Sequence, residues 1–153
     1  MQMAVKAKPD GYPTLSPYLI VDGAEKAIEF YTTVLGFQER MRIPAEGGRI
    51  GHAELTSDHS LIMLADEFPS MGIKGPKSMG GSPVSLQMYV DNVDQSIERA
   101  VVAGAKITRA VANQFYGDRT GSIEDPFGHV WHLATHVEDV SHEELIRRAS
   151  QRS

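Results

Sequence analysis

The chain has no cysteine. That excludes disulfides, thiolate metal ligands, a cysteine nucleophile and thiol redox chemistry. It has no long apolar run: every uncharged stretch is broken by Ser, Gly or Pro, and none approaches the roughly 18 apolar residues of a membrane span. Its first residues, MQMAVKAKPDGYP, lack the apolar segment of a signal peptide, so a cytoplasmic protein is expected. It also lacks basic excess. Fifteen Lys and Arg stand against 20 Asp and Glu, a net charge of −5, which argues against a nucleic-acid partner. Gly-rich phosphate loops are missing too: GAEKA has the wrong spacing, and Gly80-Gly81-Ser82 precedes a strand rather than a helix. What remains is 153 residues, 41% hydrophobic and 23% charged. That composition suits an ordinary globular domain large enough to bury roughly two thirds of its unfolded surface.

Residues 1–14, with Pro9, Gly11 and Pro13, read as a flexible arm. LSPYLIV reads as a strand. A helix follows, with Ala24, Ala27, Ile28, Tyr31 and Val34/Leu35 at helical spacing. Asp22 and Glu25 resemble a capping box at its start, and Gly36 suits the left-handed position at its end. Three strands come next, over 37–43, 49–55 and 59–65. The Gly- and Pro-rich segment to Pro83 reads as a linker or a lid. The pattern then restarts with a strand over 84–90, a helix over 91–103, and strands over 105–112 and 129–135. Before the last strand a hairpin turns at Asp125-Pro126-Phe127-Gly128. Ser141-His142-Glu143-Glu144 opens a short basic C-terminal helix.

The restart is an internal repeat. Val21-Asp22 and Val90-Asp91 lie 69 residues apart, and Ile28-Glu29 meet Ile97-Glu98 at the same offset. Two βαβββ modules, 15–66 and 84–136, each leave one sheet face bare. Sharing a curved sheet would cover both, so the expected object is an eight-stranded cup with helices outside. Residues 67–83 would link the modules, and 137–153 would form a C-terminal helix and tail.

Three segments carry a family resemblance: PYLIVDGAEKAIEFYTTVLGFQE, YVDNVDQSIERAVVAGAKI and YGDRTGSIEDPFGHVWHLATHVEDV. Together they resemble the vicinal oxygen chelate superfamily, which includes glyoxalase I, bleomycin-resistance proteins and extradiol dioxygenases. The last segment looks most like its PhnB-like branch. The resemblance implies the glyoxalase/bleomycin resistance fold. It also implies metal ligands, usually His or Glu, on the first and fourth strands of each module. Those positions fall on Ser16, Met63, Ser85 and His132, so three of the four carry Ser or Met. A catalytic divalent metal needs about three protein ligands, and this set supplies one imidazole. No metal is therefore expected at the family position. Family members often pair, and exposed sheet edges favour pairing, so a homodimer is expected.

Alternation and hairpin register select the rest of the site. A turn at Ser57-Asp58 would set Met63 opposite His52 and Leu61 opposite Glu54. His52 and Glu54 then join Met63 on the cup face, as metal ligands, as acid and base, or as polar wall. Pro126-Phe127 as the centre of the second hairpin sets His132 opposite Gly121, Ala134 opposite Arg119 and Trp131 opposite Ser122. Arg119 would then enter the cup to grip an anion, or pair with Asp118 on the surface. Ser16, Tyr18, Ser85, Gln87 and Tyr89 join by alternation, and Tyr116 stands at the rim.

Two functions follow. The first is a metal-free protein binding a small, partly aromatic or anionic molecule through these residues. The second is a metal-dependent lyase, isomerase or dioxygenase with zinc or iron displaced to His52, Glu54 and His132.

Overall fold

The computed structural model describes residues 4–152, so the first three residues of the expected arm and the final residue of the tail lie outside it. Two compact units divide after Gly75. In the first, β1 (Tyr18–Val21), α1 (Ala24–Thr33), β2 (Gln38–Pro44), β3 (Ile50–Ser57) and β4 (Ser60–Asp66) form a sheet of order β1-β4-β3-β2. β1 runs parallel to β4, and the other pairs are antiparallel. In the second, a single turn of helix, α2 (Pro76–Met79), precedes β5 (Ser85–Tyr89), α3 (Val93–Val102), β6 (Lys106–Asn113), β7 (Asp118–Glu124) and β8 (Val130–His136). Its sheet has order β5-β8-β7-β6, with β5 parallel to β8. The chain closes with α4 (His142–Ser150), where Ser141 caps the Glu144 N–H. The two sheets thus have the same topology, as the 69-residue repeat implies, and the architecture is the expected α+β. No described helix is long and apolar enough to cross a membrane.

Each sheet buries the face its helix covers. Ala27, Ile28 and Tyr31 of α1 are buried together with Leu19, Val21, Leu55 and Leu64 of the sheet. Burial of each large side chain contributes about 1.5–3 kcal/mol. Period-two alternation then leaves Tyr18, His52, Glu54 and Met63 on the opposite face. In the second unit Ile123, Trp131 and Leu133 are buried on the α3 side.

The start of α1 differs from expectation. Gly23 is the N-cap residue, at φ 102°, and no side chain of its own turn caps it. Asp66, at the end of β4, does so from a distance. Its Oδ1 accepts from the N–H groups of Gly23 and Ala24, and its Oδ2 from Ile50. Gly23 in the left-handed conformation brings the first N–H groups of the helix to Asp66 at the end of β4. Thr135 takes the same place in the repeat, its hydroxyl accepting from the Val93 N–H.

Both hairpins also slip from the expected register. The first turns at Asp58-His59, with Asp58 at φ 49°, and pairs Glu54 with Met63. That is a shift of two, which preserves the faces. In the second, Asp125 pairs with His129 around a three-residue loop, with Gly128 at φ 93°. A type I turn followed by a left-handed glycine adds one residue to the loop. His132 therefore faces Ser122, and Trp131 faces Ile123. A shift of one exchanges the faces of β7.

Candidate functional site

In the first unit the open face carries a chain of hydrogen bonds. Tyr12 Oη donates to Glu54 Oε1 at 2.8 Å, His52 Nε2 lies 2.9 Å from Glu54 Oε2, and His52 Nδ1 lies 2.8 Å from Tyr18 Oη. Glu54 is only 4% exposed. Burial alone would raise its carboxyl pKa. The bonds from His52 and Tyr12, with the Arg40 guanidinium 4.0 Å away, outweigh burial and hold it below the ordinary carboxylate value. Arg40 sits at a β-bulge between Glu39 and Met41 and lies over the Tyr12 ring. Residues before β1 thus help build this face, a role for Tyr12 that strand alternation could not reveal.

In the second unit a pocket of about 420 Å³ opens on the corresponding face. Gln87 and Tyr89 of β5, Arg109 of β6, Asp118, Thr120 and Ser122 of β7, and His132 and Ala134 of β8 line it, with Tyr116 in the preceding loop. Ser122 Oγ and His132 Nδ1 are 2.6 Å apart. Tyr89 Oη donates to Asp118 Oδ2 at 2.8 Å, and this bond chiefly raises the phenol's pKa. Asp118 Oδ1 holds His136 Nδ1 at 2.8 Å, and Asp139 holds its Nε2.

These two bonds raise the His136 pKa above its ordinary value of 6.5. A raised folded-state pKa stabilises the protein fully below the unfolded value and loses that contribution as pH rises through the folded one. His136→Gln should therefore lower the melting temperature at pH 5.5 and leave it nearly unchanged at pH 9. Equal losses at both values, in paired thermal melts, would show that the imidazole's charge plays no part.

The sequence-selected residues divide between these two faces. Tyr18, His52, Glu54 and Met63 share the first, and Gln87, Tyr89, Tyr116 and His132 line the second. Ser85 lies on the second face opposite Val130 but outside the pocket, and Ser16 precedes β1. Arg119 requires correction. It pairs with Thr135, on the α3 side of β7, and its guanidinium clasps Asp94 at 2.8 and 3.0 Å and Asn113 at 3.2 Å. The extra loop residue at Gly128 put it there. The same slip brings Asp118, Thr120 and Ser122 into the pocket, and Arg109 supplies a cation instead.

The donor chemistry at the family's metal positions does not fit a divalent cation. Two serine hydroxyls, one thioether and one imidazole are offered, and the imidazole's Nδ1 already lies against Ser122. Among the described residues no group of three or more His, Asp or Glu is placed to hold a metal. His52 and Glu54 are bound to each other and to two tyrosines.

Comparison with known proteins agrees with this architecture. The model of the glyoxalase/bleomycin resistance protein/dioxygenase superfamily matches residues 14–133. An uncharacterized protein of Mycobacterium bovis is 41% identical over 136 residues, spanning 87% of this chain and 90% of its own. The crystal structure of TioX from Micromonospora sp. ML1 superposes with a TM-score of 0.61 at 26% identity, over 82% of this chain and all of that one. A PhnB protein from Bacillus cereus shares the fold, with a TM-score of 0.64 at 16% identity, over 80% of this chain and 99% of its own. A repeated βαβββ unit, two open polar faces and a family match over most of the length lead to one assignment: the chain belongs to the glyoxalase/bleomycin resistance protein/dioxygenase superfamily.

Proposed function

We propose that this protein binds a small, partly aromatic molecule in the second-unit pocket, without a metal. The supporting observation is the lining. Tyr89 and Tyr116 offer aromatic surface, while Gln87, Thr120, Ser122 and His132 offer convergent hydrogen-bonding groups. A volume of about 420 Å³ lies within the usual range for small-molecule sites. Arg109 provides a cation for an anionic group on the ligand. The protein acts in this reading as a cytoplasmic homodimer that sequesters its ligand.

The test is a binding screen of aromatic metabolites and drugs on chelator-treated protein, read by thermal shift and calorimetry, with metal content measured in parallel. Ligands should bind equally well before and after chelation, and Gln87→Trp should weaken them at least tenfold by filling the pocket. Stoichiometric zinc or iron, with a melting-temperature gain that disappears in His132→Ala, would support the displaced-metal enzyme and sink the binding reading.

A further inference from the structure

The first unit contains a second cavity that the binding reading does not use. It has a volume of about 570 Å³ and is lined by Tyr18, Ile20, Ala65, Phe68, Ile73 and Lys74, among others. Its outer wall is the segment after β4, which the sequence marks only as linker or lid. This segment is built rather than loose. Phe68 and Ile73 exchange backbone hydrogen bonds at 2.9 and 3.1 Å, and Glu67 Oε1 accepts from the Gly75 N–H at 2.7 Å. Gly75 must be glycine here: a Cβ would stand 2.6 Å from the Ile20 carbonyl oxygen. Removing that side chain lets the segment close against β1 and complete the wall.

The walls are mostly apolar, and two polar groups stand among them. Lys74 makes no ion pair with any described residue. Tyr18 is 49% exposed, and its hydroxyl oxygen is tied to His52. Glu54 is held ionised and can only accept, so His52 Nε2 carries the hydrogen that joins them. His52 Nδ1 in turn lies 2.8 Å from Tyr18 Oη and holds it in place. Half exposed, Tyr18 Oη keeps hydrogen-bonding capacity for whatever occupies the cavity.

We infer that this cavity is a binding site in its own right, lined by first-unit residues alone. Its ligand class is a small aromatic acid with a hydroxyl group: the ring lies on Ile20, Phe68 and Ile73, the carboxylate meets Lys74, and the hydroxyl hydrogen-bonds with Tyr18 Oη. His52 and Glu54 are positioning residues that hold Tyr18 in this role.

Calorimetry with 4-hydroxyphenylacetate as probe tests it, with phenylacetate and 4-hydroxyphenylacetamide as comparators. The full-length protein should bind the probe. Lys74→Met should weaken it at least tenfold while leaving the neutral amide within twofold. Tyr18→Phe should remove the probe's advantage over phenylacetate. Gln87→Trp, which fills the second-unit pocket, should leave all three unchanged, so failure of the earlier reading and of this one are separable. Circular dichroism and melting curves confirm that each variant is folded. The inference is overturned by absence of probe binding at millimolar concentration, by loss of binding in Gln87→Trp, or by either Lys74→Met or Tyr18→Phe leaving probe affinity within twofold.

Discussion

Asp66→Ala should cost about 3–5 kcal/mol of stability. Asp66 is 7% exposed and accepts three backbone N–H groups, from Gly23, Ala24 and Ile50. Its removal strands all three, and each buried donor left unpaired costs about 1–3 kcal/mol. The negative charge at the first turn of α1, opposite the helix dipole, is lost as well. Gly23 has no side chain, and its own turn supplies no cap to the helix start. At about 2–4 °C per kcal/mol for a chain of this size, the melting temperature should fall by roughly 6–20 °C. Asp66→Asn keeps one acceptor oxygen and should lose about half as much. Urea titration of the three proteins decides the matter. An alanine variant within about 0.5 kcal/mol of the parent would mean that water replaces the carboxylate, contrary to its burial.

The second large effect is expected at Gly117. This residue lies at φ +99°, a region L side chains rarely adopt, and a Cβ there would run into the Glu138 carbonyl oxygen. The obstruction is backbone, so no rotamer change relieves it. The Gly117 carbonyl also accepts from the N–H groups of Val137 and Glu138, tying the loop to the segment after β8. Gly117→Ala must strain the dihedral, at about 1–3 kcal/mol, and push these two segments apart. We expect a total loss of about 3 kcal/mol. Gly36→Ala is the control: it too has positive φ, at +77°, but open space around it, so it should lose only about 1 kcal/mol. Gly117 lies between Tyr116 and Asp118, both of which line the second-unit pocket. Ligand affinity should therefore fall in Gly117→Ala and not in Gly36→Ala. Equal stability losses in the two variants would show that backbone conformation alone, and not the Glu138 contact, sets the requirement.

The sequence by itself determined the strands, the longer helices, their order and the repeat, while the single-turn helix α2 lay in the segment read as linker. Helical spacing in 24–35 and 93–101, strand alternation and the 69-residue offset are local signals, and each reflects a period that the backbone imposes on any chain. The open-face residues of β1, β4, β5 and β8 were legible too: the family resemblance implied Met63 and His132, and alternation added Tyr18, Gln87 and Tyr89 from Ser16 and Ser85. His52 and Glu54 were placed on the right face through a wrong turn, because a shift of two is invisible to alternation. Tertiary structure decided what depends on the size of one loop. Gly128 entered a left-handed conformation and lengthened the second hairpin by one residue. That moved Arg119 from the pocket to Asp94, and Asp118, Thr120 and Ser122 into its place. Only the folded chain could reveal that Asp66 caps a helix 42 residues earlier, that Tyr12 covers Glu54, or that the segment after β4 walls a cavity. These contacts join residues far apart in the chain, and their free energy depends on burial that no local pattern encodes.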